Sequence, residues 1–279
     1  MALYYAYLVY EKGGFLAGDA IEIFTRYCNY VLDELHDECK FWDTINEPTV
    51  WASNGHMRGN WPPFGKNVFN FFKALKNQAK SHNSVYLQNK EKYPKLEIGI
   101  VKDNINFRAG KMPWNRIARK ITDYVWNHYF LKKVYENCDH IGLNYYFDSF
   151  IGKKPKWYRD LPTSDMGWTL SPKGIYYVLK DLDRYEKPVY ITEAGIADSK
   201  DVYRAKYTQE LIQWTHQAIQ EGVDVKGFMY WSLLDNFEWA LGYEKEFGLI
   251  HVTPEGKRQV RESAYIYKQI CESNKLEIE

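Results

Sequence analysis

The 279-residue sequence predicts an α/β fold built on a parallel sheet. Three observations predict it. Short apolar strand patterns alternate with longer helical patterns, the order that gives parallel strands joined by right-handed crossovers. The polar residues of interest fall at the carboxyl ends of those strands, where parallel α/β architectures build their sites. No linker, low-complexity run or second hydrophobic pattern divides the chain, so residues 1–279 are expected to form one domain, a length that one α/β barrel fits.

The elements follow in order. After a turn at Gly13-Gly14, Asp19 and Glu22 form a capping-box pattern. Ile23, Tyr27, Tyr30, Val31 and Leu35 then recur at helical spacing, which predicts the buried face of a helix ending near Asp37. The stretch Phe41-Trp-Asp-Thr-Ile-Asn-Glu-Pro48 reads as a strand that ends in a carboxylate. Phe41, Trp42, Thr44 and Ile45 favour strands, while Pro48 cannot donate to a ladder and biases Glu47 away from helical geometry. A Gly/Pro/Trp loop over residues 53–65 leads to a helix over residues 66–92, stopped by Pro94. Residues 96–101 form a short strand, residues 115–136 a helix and residues 140–146 a third strand. A long aromatic loop spans residues 148–169, and Ser171-Pro172 predicts the start of a helix ending near Tyr185. A fourth strand covers residues 189–195. A helix opens at Asp201 and closes at Gly222, a fifth strand covers residues 227–233, and a helix over residues 259–272 ends the series. The stretch 2–10 has room for one strand at most.

Composition excludes several classes. With 37 basic and 36 acidic residues the net charge is +1, which argues against a dedicated nucleic-acid or acidic-membrane binder. No apolar run reaches the roughly 20 residues that span a bilayer, and no basic segment precedes an apolar one, so neither membrane segment nor signal peptide is expected. Cys28, Cys39, Cys138 and Cys271 lack metal or redox spacing and are expected to be reduced, partly buried thiols of a cytoplasmic protein. Aromatic residues are abundant, with 24 Tyr, 14 Phe and 10 Trp, and several (Trp51, Trp61, Phe64, Trp114, Trp157, Trp168) stand in Gly/Pro/Asn-rich loops. Core packing accounts for most of them; flat surfaces for sugar rings are the second reading, and composition leaves both open.

The candidate chemistry sits at the strand ends. Glu47 ends the first strand. Asn144 and Tyr146, two apart and on one face, end the third, and Glu193 ends the fourth. Trp231 and Ser232 end the fifth, with Asp235-Asn-Phe-Glu-Trp239 in the loop beyond. Two carboxylates at strand mouths suit general acid and nucleophile work on a glycosidic bond. Such pairs also bind metals, but no histidine stands beside either glutamate. No metal and no cofactor are expected.

Four ordered segments carry a family resemblance. Thr44-Ile-Asn-Glu-Pro48 resembles the acid/base motif of glycoside hydrolase family one, the β-glucosidase and β-galactosidase family, and Ile191-Thr-Glu-Ala-Gly195 resembles its nucleophile motif. Gly142-Leu-Asn-Tyr-Tyr146 is similar to a further family segment. Trp231-Ser-Leu-Leu-Asp-Asn-Phe-Glu-Trp239, with Gly242-Tyr243 and Phe247-Gly248-Leu249, resembles the sugar-binding signature. The resemblance implies a (β/α)8 TIM-barrel fold and a retaining β-glycosidase that releases terminal non-reducing β-D-glycosyl residues from a glycoside or oligosaccharide by double displacement. It implies Glu47 as acid/base and Glu193 as nucleophile, one protonated and the other ionised, about 5–5.5 Å apart. It implies that Asn46 bonds the sugar 2-hydroxyl, that Tyr146 holds the Glu193 carboxylate with Asn144 beside it, and that Trp231 lies under the sugar ring. Glu238 and Trp239 would bind the outer hydroxyls, Trp168 would line the leaving-group side and Phe247 would close the pocket. The Asn236-Phe-Glu-Trp239 form resembles the class that takes non-phosphorylated sugars.

Two departures stand out. Ala194 replaces the usual asparagine after the nucleophile, on the opposite strand face. The resemblance begins near residues 8–15, so about five βα units, strands four to eight of the barrel, are expected. With strands one to three go a Gln, a His-Trp pair and an Arg of the family site. Three readings follow: a β-glycosidase of which the chain is a part, an inactive remnant, or a carbohydrate-binding module that self-associates through open barrel edges.

Overall fold

The computed structural model describes residues 13–276, so the expectation for residues 2–10 lies outside the described residues. In chain order the first elements are α1 (Ala20–Leu35), β1 (Phe41–Asn46), α2 (Pro48–Ala52), α3 (Val68–Lys92), β2 (Glu97–Asp103) and β3 (Asn106–Ala109). Next come α4 (Pro113–Asp123), β4 (Ile141–Tyr145), β5 (Asp148–Ile151), α5 (Lys156–Arg159), α6 (Gly174–Leu182) and β6 (Val189–Ala194). The last are α7 (Arg204–Gln220), β7 (Val225–Tyr230), β8 (Ile250–Val252), β9 (Arg258–Val260) and α8 (Glu262–Ser273). They fall into two compact units. One runs to Asp103 and includes Val125–Gly142; the other comprises Asn104–Tyr124 and the chain from Leu143 onward.

In the first unit β1 and β2 pair in parallel, with Phe41 opposite Glu97 and a register shift between Asp43 and Asn46. Helix α3 starts where the Asn67 side chain accepts bonds from the backbone N–H of Phe69 (2.8 Å) and Asn70 (3.3 Å). Its buried positions, among them Phe71, Ala74, Leu75, Ala79, His82 and Val85, recur every three or four residues, so one face meets the sheet and α1. Leu32, Val85, Leu96 and Ile98 form the centre of this core, with Phe24, Cys28, Trp42, Tyr86 and Tyr93 packed around it. Burying a side chain such as Val85 or Ile98 stabilises the fold by about 1.5–3 kcal/mol.

Helix α1 corrects the sequence reading. Its core face is Phe24, Cys28 and Leu32, whereas Tyr27, Tyr30 and Leu35 are exposed. Both stripes have helical period, and the packing against α3 selects between them. The Asp19 side chain makes no capping bond.

One close approach in this unit depends on glycine. His140 lies across β2 at Gly99, where a Cβ would sit 2.5 Å from the ring Nε2 and 2.6 Å from the His140 carbonyl. That approach lets Nε2 reach Asp43 Oδ1 at 3.1 Å.

Strand β4 begins in the first unit and continues into the second, where β4, β6 and β7 are neighbours in that order. β6 and β7 are parallel, with Ile191 opposite Phe228 and Ala194 opposite Tyr230. The stretch 148–169, expected as loop, contains β5 and α5, and β5 pairs in parallel with β3 from Asn106↔Asp148 to Ala109↔Ile151. Arg108 donates to the buried Asp148, which also faces Asn106 Nδ2 (3.0 Å) and the Tyr145 hydroxyl (2.9 Å), so one buried carboxylate ties this pair together.

Helix starts and ends also move. Ser171-Pro172 forms a turn (Gly174 N–H to Ser171 O, 3.0 Å) before α6 begins. Helix α7 is capped by Asp198, not Asp201, through the N–H groups of Tyr203 (2.7 Å) and Arg204 (3.0 Å). Asp201 instead accepts from Ser263 at the start of α8. Helix α4 ends at Asp123 rather than near residue 136, and residues 258–260 are strand β9, antiparallel to β8.

The strands differ in burial. β4 is buried throughout and β2 nearly so, while β1 and β7 are each partly exposed, with Phe41 53% and Met229 45% accessible. All four cysteines are free thiols. Cys138 is buried, burial pushes the half-buried Cys28 up to about 12, and Cys39 and Cys271 are exposed, against the expectation of partial burial for all four.

Candidate active site

The second unit brings most of the candidate residues together around Glu193. This glutamate is the penultimate residue of β6, and Tyr146, one residue beyond β4, donates its hydroxyl to Glu193 Oε2. The neighbouring pair is bonded as well, with the Thr192 hydroxyl donating to Asn144 Oδ1 at 2.7 Å. Two adjacent side chains of β6 are thus tied to β4 and its end. A hydroxyl donating to a carboxylate favours its charged form, the state a nucleophile needs.

Two further rings pack on Tyr146. The Tyr146 ring lies 5.5 Å from Trp168 and 5.9 Å from the buried Phe247, and Trp168 is 6.2 Å from Phe247. Trp168 also stacks on Phe147 at 4.8 Å. Offset and edge contacts at these distances hold rings in fixed orientations.

The chain beyond β7 adds the remaining groups. Trp231 donates its backbone N–H to Ala194 O at 3.1 Å, and the Trp231–Ser232 peptide is cis. Gly195 makes the approach possible, because a Cβ there would overlap the Trp231 carbonyl oxygen. Ser232 and Leu233 then exchange backbone bonds with residues 247–250. Glu238 is half-buried; burial, then the charge of Glu193, holds its carboxyl above the usual range. Trp239 has φ +44° and is 61% exposed.

Asp235 fastens this loop, a role the sequence reading missed. It accepts from the N–H of Gly248 (2.8 Å) and Val252 (3.2 Å), and from Arg261 at 3.0 and 3.1 Å. His251 Nδ1 is 2.9 Å from the same carboxylate. Asp235, Glu246 and His251 lie close enough to hold a cation, but the Arg261 guanidinium already bonds both carboxylates and occupies that position as the positive charge.

The first unit places Glu47 by different means. β1 ends at Asn46, which is exposed, and Glu47 takes the left-handed conformation (φ +49°, ψ 55°) as α2 opens at Pro48. Its N–H donates to Val101 O on β2 at 2.9 Å, and its carbonyl accepts from Trp51 N–H at 3.1 Å, closing the first helical turn. Proline at the first helical position fits, since it has no N–H to leave unpaired. The sequence placed the strand end here and missed both α2 and the π-helical turn Ser53–Arg58 that follows it.

Comparison with known proteins bears on the whole chain. The sequence matches the family described as glycosyl hydrolase family 1 over residues 6–132 and 114–276. It is 33% identical over 315 aligned residues to beta-glucosidase A of Thermotoga maritima, covering 95% of this chain and 71% of that protein. A beta-galactosidase of Sulfolobus acidocaldarius is 30% identical, over 94% of this chain and 60% of the relative. The solved structure of the family 1 β-glucosidase from Thermotoga maritima superposes with a TM-score of 0.89 at 32% identity, over 95% of this chain and 71% of that one.

Proposed function

Because the chain belongs to glycosyl hydrolase family 1, with the parallel α/β sheet of part of that family's (β/α)8 barrel, we propose that it serves a retaining β-glycosidase acting on β-glucosides or β-galactosides. Glu193 attacks the anomeric carbon and forms a covalent glycosyl intermediate. Glu47 protonates the departing oxygen and then takes the proton from the water that releases the sugar. Asn46 and Asn144 contact the reacting sugar. Trp231, Glu238, Trp239 and Phe247 bind its ring and outer hydroxyls, and Trp168 faces the leaving group. The observation that carries the reading is the Tyr146 hydroxyl donating to Glu193 Oε2 while the Tyr146 ring packs against Trp168 and Phe247.

The test is chemical rescue. A Glu193→Ala variant assayed on nitrophenyl β-glucoside with azide should give the glycosyl azide of inverted anomeric configuration. No azide product, or the substrate's own anomer, removes Glu193 as nucleophile. The partly exposed β1 and β7 support a second reading, self-association through these strands. Sedimentation at rising concentration should then show a dimer, and a monomer throughout would exclude it. The four free thiols support a reducing, cytoplasmic setting.

A further inference from the structure

We propose that Tyr207 is a positioning residue for the nucleophile: its hydroxyl holds the backbone of Tyr146 so that Tyr146 meets Glu193. The proposal rests on the glycosidase reading and deepens it. Tyr207 stands in the first turn of α7, is 3% exposed, and donates its hydroxyl to Tyr146 O at 2.6 Å. Tyr146 lies one residue past the end of β4, and this bond ties its carbonyl to the first turn of α7. A side chain from the next layer supplies the restraint at that point.

The restraint closes a circuit. Five residues after Glu193, Asp198 caps α7 through the N–H groups of Tyr203 and Arg204. Arg204 returns a bond to the Asp198 carbonyl at 2.7 Å. The capped turn carries Tyr207, Tyr207 holds Tyr146, and Tyr146 holds Glu193. The strand that bears the nucleophile therefore fixes, through the helix that follows it, the hydroxyl that orients its own carboxylate. With the Tyr207 bond lost, a rotation of the Tyr146 peptide would move that hydroxyl by a sizeable fraction of a hydrogen-bond length, and misplacements of this order cost reacting groups one or two decades of rate.

Replacing Tyr207 with phenylalanine removes one hydroxyl and keeps the ring in the core. On nitrophenyl β-glucoside, Tyr207→Phe should lower kcat about tenfold with KM unchanged. On a Tyr146→Phe background it should have no further effect, because the hydroxyl it positions is gone. A kcat equal to that of the parent chain, or the same fall on the Tyr146→Phe background, overturns the proposal. If Tyr207→Phe does not fold, Asp198→Ala removes the acceptor for the Tyr203 and Arg204 N–H groups and weakens the same circuit at the helix start; it should lower kcat several-fold at constant KM, and no change counts against the circuit. A second readout is independent of turnover. In protein labelled with 13C at tyrosine Cζ, the resonance that Tyr146→Phe deletes should shift in Tyr207→Phe. If the parent chain does not hydrolyse the glucoside, the glycosidase reading fails while this resonance still decides the positioning: a shift supports it, and an unmoved resonance refutes it.

Discussion

Glu193 and Glu47 are both carboxylates at the ends of parallel strands, yet a different structural feature marks each. Glu193 is fixed through side chains: a tyrosine hydroxyl reaches it, that tyrosine packs against two further rings, and a second tyrosine fastens its backbone. Glu47 is aimed by its own backbone, with a left-handed φ between the last residue of β1 and the proline that opens α2. The difference suits the two proposed tasks. A nucleophile must keep one charge state and one line of approach. A group that gives and then retrieves a proton needs a defined origin, and the backbone at Glu47 supplies one.

Substitutions at four positions would break or sharpen this contrast. The largest effect is expected from Gly195→Ala, because the added Cβ overlaps the Trp231 carbonyl and pushes the end of β7 away from β6. It should cost about 2–4 kcal/mol in urea unfolding and reduce kcat/KM by two decades or more, on the order of a backbone clash in a core. Next is Tyr146→Phe, which should leave Tm within a few degrees and lower kcat/KM about a hundredfold, comparable to loss of one oriented donor at a reacting carboxylate. At Glu47 the backbone account makes a distinctive claim. Glu47→Gly and Glu47→Ala both lose the acid, but the glycine variant should be about 1 kcal/mol more stable, since only alanine resists positive φ. Equal urea midpoints would remove the torsional argument.

The smallest expected effect concerns pH. Glu238 is held above the usual carboxyl range in the folded state, so the folded protein binds that proton more tightly than the unfolded chain does. Its contribution to stability is full below the unfolded carboxyl's pKa and is lost as pH rises through the raised folded value. Glu238→Gln should therefore flatten the fall in Tm over that weakly acidic window; an unchanged profile would remove Glu238 as its source.

Much of this organisation was legible in the residues. The strand order, the carboxyl-end positions of Glu47, Glu193, Asn144 and Trp231, and the nearness of Tyr146 to β4 follow from alternating patterns and short motifs. The illegible parts have physical causes. Helix α1 offered two stripes of the same period, and only the surface of α3 chose Phe24, Cys28 and Leu32. Strands β3 and β5, four residues each, are too short for an alternating pattern to stand out, and the bond from Arg108 to the buried Asp148 that ties them joins positions 40 residues apart. The left-handed φ of Glu47 carried no glycine or asparagine to announce it. Tyr207 was one tyrosine among 24, and nothing in its neighbours marks the carbonyl that its hydroxyl meets.

The approach of His140 to Gly99 has a consequence for sequence change. Position 99 has no room for a side chain while the imidazole lies across β2, and Asp43 is within reach of that ring only because position 99 is bare. The three positions therefore cannot drift independently. Chains that fold this way should keep glycine at position 99 whatever side chain stands at position 140, because the backbone carbonyl of residue 140 comes as close as the imidazole, while the histidine at 140 and the acid at 43 should change together.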